Sequence, residues 1–365
     1  MLGGGIVGLL TAYYAAPLAE SVTVLGQAAA VEPVPRPIRH DFPDLRLACL
    51  AAEAHKLWLE LQARSGRRLL RNCGYLTLAR AGGAPGVDAT LGALSHEVLA
   101  QLGLRREAFA GAQLASRFPQ FTADAGWLDV DAGLVDNNAV TDALARAVRE
   151  RGVTVHESSM VRGIGRDHDA WHVATDYGVL GCDSLVITAG QGTNGILELL
   201  PGGQARIPLR PGQPAEVTYF LPAQLERAQF TDIALPAFAY PGAGIYGEPI
   251  VEGQTPGVRI GLHRRPSAGA FDSAADFVAA CMPALRNAPR VSAGQDRCAE
   301  VSDDELTIGP VTGADGVYVA AGWCGSLCAF APWAALVLAQ LVVNHDTSYD
   351  IGRFSPARFA ENGGE

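Results

Sequence analysis

The stretch Leu2–Gln27, LGGGIVGLLTAYYAAPLAESVTVLGQ, carries the pattern that decides the fold. Its glycines follow the spacing GxGxxG, which permits a tight turn, close approach of the backbone to a pyrophosphate and close packing of the next helix. Apolar residues at 6–16 predict that helix, and β-branched residues at 21–25 predict a strand. This order favours a dinucleotide-binding unit over a plain glycine turn, with the pyrophosphate at the helix N-terminus. The residues that the motif assigns to the dinucleotide are Gly3, Gly4, Gly5, Ile6, Val7 and Gly8.

Two features of the stretch depart from the usual unit. Only Met1 and Leu2 precede the glycines, where a strand of about five residues is expected; either the chain start is placed late or the sheet edge is truncated. The predicted strand ends in Gly26 and Gln27, without the acidic residue that normally bonds the ribose hydroxyls. We expect Gln27 to bond a ribose hydroxyl as a neutral substitute, and a carboxylate introduced at Gly26 to tighten dinucleotide binding.

Length and composition indicate a compact, two-lobed enzyme. The chain has 365 residues, of which 48% are hydrophobic, and single cores stop growing at about 250–300 residues. A net charge of -10 without long like-charge blocks disfavours nucleic acid and an anionic membrane as partners, and favours a small molecule. The 7 cysteines form no CxxC pair and no cluster at zinc spacing. These features predict no metal site and a reduced, cytoplasmic setting.

The pattern along the chain predicts an interrupted α/β fold, α+β overall. Helices are expected at 47–64, at 141–151 with Asn138 or Thr141 as the cap, and at 330–343 as a buried helix. Strands at 171–175 and 179–181 read as a hairpin, and 216–263 reads as short antiparallel strands. We predict a Rossmann-type dinucleotide domain at 1–42, 132–206 and 296–365, and a substrate domain built on an antiparallel sheet at 43–131 and 207–295.

The run GGGIVGLLTAYYAAPLAESVTVLGQ resembles the opening of the D-amino acid oxidase superfamily of flavoproteins. The whole chain is most similar to the monomeric sarcosine oxidase and N-methyl amino acid oxidase group. The resemblance continues through PIRHDF, AHKLWLELQARSG, CGYLTL, DAGLVDNNAVTDALARAVRERGVTV, LVITAG, GIYGEP, GVRIGLH, DDELTIGP and VYVAAGWCG. It implies FAD as the cofactor and a substrate domain whose antiparallel sheet covers the flavin.

The resemblance also implies oxidation of a C–N bond in a small amine or amino acid to an imine. Electrons would pass to oxygen or to an electron carrier. Two alternatives stay open: a dehydrogenase that uses a carrier, and a degenerate, non-catalytic family member that acts as a binding protein.

Four residues match family positions that face the substrate. Arg39 matches an arginine that grips the substrate carboxylate, and an ion pair with Asp41 or Asp44 is its alternative role. Arg259 stands where the family's oxidases carry a lysine thought to activate oxygen, so fast oxygen reduction is in doubt. His263 and Tyr246 match pocket-lining residues. Ordinary positions on a half-buried sheet are the alternative for these last three.

The resemblance places further residues at the cofactor. Cys298 lies close to the position where this group attaches FAD through a thioether, with a buried, inert cysteine as the alternative. Ala329 replaces a lysine that completes the family's carboxylate clamp, which makes sarcosine itself an unfavourable substrate. A bulkier amine, an amino acid held by other residues or an intermediate of specialised metabolism fits better. The other residues expected to contact the cofactor are Gln27, Arg36, Val161, Ala189, Gly190, Gly322 and Gly325.

Overall fold

A computed structural model describes residues 1–26, 34–79, 87–168, 170–203, 206–211, 215–263, 271–296, 299–323 and 325–359. Gln27 and Cys298, both predicted to contact the cofactor, lie outside the described residues. The helices within these ranges are α1 Ile6–Ala15, α2 Leu45–Ser65, α3 Val87–Gln101, α4 Ala112–Arg117, α5 Asn137–Glu150, α6 Thr193–Leu197, α7 Ala274–Cys281 and α8 Leu327–Asn344.

The strands are short and distributed along the whole chain. They are β1 Thr23–Leu25, β2 Arg36–Ile38, β3 Leu70–Arg71, β4 Tyr75–Ala79, β5 Arg106–Ala110, β6 Ala125–Asp129, β7 Gly133–Val135, β8 Thr154–His156, β9 Val161–Asp167, β10 Ala170–Thr175, β11 Gly178–Cys182, β12 Leu185–Ile187, β13 Leu209–Pro211, β14 Ala215–Phe220, β15 Ala237–Tyr240, β16 Ile245–Glu248, β17 Val258–Leu262, β18 Arg290–Asp296, β19 Ala299–Val301, β20 Thr307–Pro310 and β21 Val317–Ala321.

One sheet is parallel except for its edge strand β20, which pairs with β21 in the antiparallel direction, and Leu2 stands at its centre. β8 pairs with β1, and β12 pairs with β21, in each case in parallel. Leu2 joins the two pairs through parallel bridges to Leu25 and Ile187. Its N–H donates to the carbonyl of Val186 at 2.7 Å, and the N–H of Thr188 donates to its carbonyl at 2.9 Å. On the other side, the N–H of Gly3 donates to the carbonyl of Leu25, and the N–H of Leu25 donates to the carbonyl of Met1, each at 2.8 Å. Residues 1–3 therefore supply hydrogen bonds expected of the first strand.

Helices α1, α2, α5 and α8 pack together beside this sheet. Helix α8 is the one helix of the described residues that is long and apolar enough to cross a membrane, but most of its residues are buried inside the protein. Its Trp333 is fully buried, and the indole N–H of Trp58 in α2 donates to the carbonyl of Cys328 at 2.8 Å. The prediction of a buried helix in this segment is therefore confirmed.

The second large sheet runs in the order β18-β14-β17-β16-β15-β4-β6-β5. Its neighbours are antiparallel as predicted, except that β15 pairs with β4 in parallel. One face packs on α7 through an apolar cluster that includes Phe238, Ile260 and Phe277. Because side chains alternate along a strand, the opposite face carries a different set of residues. That set includes Tyr75, Thr77, Asp129, Tyr246, Glu248 and Arg259.

The predicted fold class is confirmed, and one local prediction is wrong. Helix α5 begins at Asn137, and its cap is Asp136, whose carboxylate accepts from the N–H of Ala139 at 2.9 Å. Thr141, one of the two predicted caps, lies inside the helix and donates to the carbonyl of Asn137. A carboxylate is a strong cap and satisfies a backbone donor one turn earlier. The division of the chain into two discontinuous domains stays a prediction.

Candidate active site

The glycine run forms a cradle at the N-terminus of α1. Gly3 has a φ of +133°, which favours glycine, and a Cβ there would lie 2.4 Å from the carbonyl oxygen of Thr188. A Cβ on Gly8 would lie 1.9 Å from the carbonyl oxygen of Gly3. Among the described residues, a Cβ on Gly5 would meet nothing within 4 Å, and no side chain caps the helix. The first-turn amides therefore have no side-chain cap among the described residues, and a pyrophosphate group fits them as an acceptor.

Several predicted cofactor residues share the edge with this cradle. The sheet's parallel strands end on one side, so Gly3, Thr188–Gly190 and Gly322 follow neighbouring strands at their carboxyl ends. The hydroxyl of Thr188 donates to the carbonyl of Gly3 at 3.2 Å. Gly322 and Gly325, with φ of +80° and +68°, bracket the turn into α8. Arg36 in β2 and Val161 in β9 are half-buried. These assignments remain predictions.

The structure around Gly26 contradicts the expectation that a carboxylate at this position would tighten dinucleotide binding. A Cβ on Gly26 would lie 2.3 Å from the backbone nitrogen of Gly4. That distance is shorter than any tolerated contact, and the opposing atom belongs to the backbone of the cradle. Any side chain at Gly26 would therefore displace the glycine turn that it was meant to assist.

The structure brings Tyr246, Arg259 and His263 together on the face of the large sheet that points away from α7. The Tyr246 and His263 rings lie with their centroids 5.0 Å apart. The Arg259 guanidinium lies 5.6 Å from the centre of the Tyr246 ring. Tyr246 lies across Gly261 on the next strand, where a Cβ would come within 2.0 Å of its ring. The glycine of GVRIGLH thus leaves the space that the tyrosine ring fills.

Arg259 is buried in an ion pair that the sequence did not predict. Its Nη1 lies 2.8 Å from Oε2 of Glu248, with 1% and 2% of the two side chains exposed. Glu248 stands directly opposite Arg259 in the register of β16 and β17. Two opposite charges at this distance form a locally neutral unit. The positive charge expected at this position is therefore largely compensated by Glu248.

Arg39 lies at the rim of the same face. Its Nη1 donates to Oδ1 of Asp41 at 2.5 Å, and its guanidinium lies over the rings of Phe42 and Tyr75 at 4.4 and 5.2 Å. The other oxygen of Asp41 accepts from the hydroxyl of Thr77 at 2.7 Å. Burial raises the pKa of Asp41, opposed by Arg39 and by the Thr77 hydrogen bond.

The alternative partner considered for Arg39, Asp44, has another role. Its carboxylate caps α2 by accepting from the N–H of Leu47 at 2.9 Å. It also pairs with Arg353 at 2.6 Å. An ion pair of Arg39 with Asp41 is therefore present, whereas Asp44 is held by α2 and Arg353.

A buried polar chain beside Arg39 was missed by the sequence reasoning. Asp129 in β6 accepts from the backbone N–H of His40 at 2.7 Å, and its carboxylate lies 2.9 Å from Nδ1 of the His40 ring. Nε2 of His40 lies 2.9 Å from Nδ1 of His55 in α2. The signal available in the sequence was the polar run Arg39-His40-Asp41 directly after an apolar strand residue, Ile38.

The turn at the start of α8 presents no cation at the position of the missing clamp residue. Ala329 is buried, as are Cys328 and Phe330 beside it. Burial raises the pKa of the Cys328 thiol to about 12, opposed by the charge of Arg36. Cys328 is thus a neutral, apolar side chain at neutral pH. The described part of this segment contributes packing to the core.

Comparison with known families decides the class of the protein. The family described as FAD dependent oxidoreductase, DAO, matches residues 2–341. The chain belongs to this family. The glycine cradle, which fits a pyrophosphate, agrees with FAD as the cofactor of the family. The sequence-based predictions of an FAD-dependent oxidoreductase and of an enzyme are confirmed.

Individual relatives agree with this assignment. The chain is 26% identical to peroxisomal sarcosine oxidase of Mus musculus over 390 residues, which cover 99% of the chain and 95% of the relative. It is 25% identical to an N-methyl-L-tryptophan oxidase of Yersinia pestis over 211 residues, 55% of each protein. The L-proline dehydrogenase structure from P. horikoshii superposes with a TM-score of 0.82 at 19% identity, over 99% of this chain and 97% of that one. This last likeness concerns the fold.

Proposed function

We propose that the protein oxidises the C–N bond of a small amine or amino acid that carries a carboxylate, and that Arg39 binds this carboxylate. The product is an imine. The curated relatives are named for sarcosine and for N-methyl-L-tryptophan, which are both N-methylated amino acids with a carboxylate. The loss of a second cation at Ala329 leaves Arg39 as the main partner for the anion.

The observation that carries this proposal is the state of the Arg39 guanidinium. Within the described residues, its hydrogen bonds use Nη1 alone, with the carboxylate and carbonyl of Asp41 as the acceptors. Nε and Nη2 have no partner among those residues. These two N–H groups form a fork that matches the two oxygens of a carboxylate. The Arg39 side chain is 26% exposed, so it is not sealed in the core.

The remaining residues of the face shape the pocket around the amine. Tyr246 and His263 contribute aromatic rings to this face. Glu248 and Arg259 contribute a buried ion pair that is neutral as a unit. When bound, FAD would accept the hydride equivalent that leaves the carbon attached to the amine nitrogen, while the nitrogen loses a proton as the imine forms. The chain itself therefore supplies orientation of the carboxylate, exclusion of water and placement of the amine.

Arg39→Ala and Arg39→Lys test the carboxylate anchor. The ligand is pyrrole-2-carboxylate, an unreactive carboxylate, titrated against the visible spectrum of the holoenzyme, with pyrrole as the matched ligand without the anion. Arg39→Ala should cost about 2–5 kcal/mol in carboxylate binding, and Arg39→Lys should cost less because it keeps the charge but loses the fork. Arg46→Ala, an exposed arginine paired with Asp350, is the control. Unchanged carboxylate affinity in Arg39→Ala would refute the anchor.

A second candidate concerns the electron acceptor, and the buried Glu248–Arg259 pair favours it. Reduction of oxygen by one electron produces an anion, which an uncompensated positive charge would stabilise. Because Glu248 compensates Arg259, we propose an electron carrier as the preferred acceptor, so that the enzyme works as a dehydrogenase. Reoxidation of the reduced enzyme by air should be slower than by a soluble quinone. Faster reoxidation by air would make the protein an oxidase.

We also propose that FAD is attached covalently through Cys298. The support for this link is that Cys298 lies, in the sequence, close to the position where the sarcosine oxidase group attaches FAD. Acid precipitation of the purified protein should leave the yellow colour in the pellet, and Cys298→Ser should release it into the supernatant. Cys281→Ser, at a buried cysteine of α7, is the control. Colour that is released from the unmodified protein would exclude the link.

A further inference from the structure

Asp129 holds residue 40 by both its backbone and its side chain. One carboxylate oxygen, Oδ2, accepts from the backbone N–H at 2.7 Å and lies 2.9 Å from Nδ1 of the ring. The other, Oδ1, lies 3.2 Å from the same Nδ1. The side chains of His40 and Asp129 are 2% and 0% exposed. Three contacts to one residue fix both its position and the orientation of the chain through it.

His55 completes the attachment from the side of α2. Its ring stacks on the His40 ring at 4.9 Å with an interplanar angle of 11°, and the two rings share an N···N contact of 2.9 Å. Burial and the neighbouring His40 lower the pKa of His55 to about 4. His55 is therefore neutral at neutral pH. With Nδ1 of His40 directed at Asp129, a single proton occupies the contact between the two rings.

Residues 39 and 41 flank this fixed point and both reach the substrate-facing side of the sheet. Arg39 bonds Asp41, and Asp41 accepts from Thr77 in β4, the strand next to β6. Asp129 stands directly opposite Tyr75 in the register of these strands, and the Arg39 guanidinium lies over the Tyr75 ring. The segment is thus tied to two adjacent strands, at His40 by β6 and at Asp41 by β4.

We propose that Asp129 is a positioning residue for substrate recognition: through His40, and with His55 as the second support, it sets the direction of the Arg39 fork. This inference rests on the proposed function, in which Arg39 binds the substrate carboxylate. Among the described residues, the titratable groups next to the His40 ring are Asp129 from β6 and His55 from α2. Asp131, two residues after Asp129, interacts with His40 through its charge. Asp131 is tied to the exposed Arg105 at 2.5 Å.

A double-mutant cycle between Asp129 and Arg39 tests the proposal. In Asp129→Asn, the Kd of pyrrole-2-carboxylate should rise about 10-fold, as expected for residues that share one network. In the Arg39→Ala background the same substitution should change Kd by less than about 2-fold, because the fork that it positions is gone. A merely structural role would give equal factors in both backgrounds, and that result would overturn the proposal.

Two further variants separate positioning from loss of folding. His55→Phe keeps the ring stack and removes the N···N contact, and it should weaken carboxylate binding by about 2- to 10-fold, the range for one hydrogen bond. Asp131→Asn is the matched control, because this carboxylate bonds Arg105 on the exposed side, and it should leave Kd unchanged. Binding of pyrrole should stay level in every variant. Equal weakening by Asp131→Asn and Asp129→Asn would overturn the proposal.

These variants distinguish failure of the positioning role from failure of the substrate proposal. If Arg39→Ala weakens carboxylate binding and Asp129→Asn and His55→Phe do not, the positioning role is wrong and the substrate proposal stands. If Arg39→Ala leaves carboxylate binding unchanged, the substrate proposal is wrong, and the positioning role fails with it.

Discussion

Glu248→Gln is the substitution with the largest effect on stability that the candidate site predicts. Glu248 and Arg259 are 2% and 1% exposed and lie 2.8 Å apart on paired strands. Glutamine has nearly the same shape, so the substitution removes the negative charge and leaves the packing intact. Arg259 then stays buried and loses the counter-charge of Glu248. The perturbation isolates the electrostatic contribution of the pair.

The size of the effect follows from this burial. Removing one partner of a buried ion pair costs about 3–5 kcal/mol, because the other charge stays desolvated. A neutral amide oxygen still accepts a hydrogen bond from Arg259, so we expect Glu248→Gln near the lower end, about 3 kcal/mol. The paired replacement Glu248→Leu with Arg259→Met removes both charges. It should recover most of the loss, since apolar pairs of similar volume are often neutral replacements.

Urea unfolding followed by tryptophan fluorescence measures these differences. Glu252→Gln is the matched control, because Glu252 is 68% exposed and lies 3.3 Å from Arg227. Exposed pairs of this kind contribute at most about 1 kcal/mol. If Glu248→Gln lowers the free energy of unfolding no more than this control does, the buried ion pair does not stabilise the fold, and our account of Glu248 and Arg259 is wrong. If the paired replacement is as unstable as the single one, packing, not charge, explains the loss.

Two other predictions concern the cradle and the buried histidine pair. Gly26→Ala should destabilise the protein by about 1–3 kcal/mol, the usual cost of overpacking, because its Cβ would lie 2.3 Å from the backbone nitrogen of Gly4. The Cβ of Gly5→Ala would meet nothing within 4 Å among the described residues, so this variant should keep its stability and bind FAD more weakly. Equal stability of the two variants would contradict this prediction. His55 has a folded pKa of about 4, below its ordinary 6.5, so the unfolded chain takes up its proton first as the pH falls. Its contribution to stability should therefore be complete above pH 6.5, decline between 6.5 and 4 and level off below 4, and His55→Phe should lack that slope in urea unfolding at a series of pH values.

The glycine cradle and the helix and strand that follow it could be predicted because their signals are local. The glycines of the cradle, the apolar helix α1 and strand β1 lie within 26 consecutive residues, and their spacing reflects steric rules of the backbone. Even so, the sequence alone does not show that position 26 must be glycine. Its constraint comes from Gly4, which lies 22 positions earlier in the chain and touches it only after the strand and the turn have packed.

The sequence by itself determined the cofactor class, the alternation of helices and strands and the residue types available at the site. The tertiary structure decided which charges meet. Asp129 reaches His40 across 89 positions, and Glu248 faces Arg259 only because β16 and β17 pair in one particular register. Patterns of hydrophobicity fix which face of a strand is buried, but they do not specify which strand lies beside it. The neighbours of Arg39 and Arg259, and hence the charge of the pocket, therefore depend on the order of strands in the folded sheet.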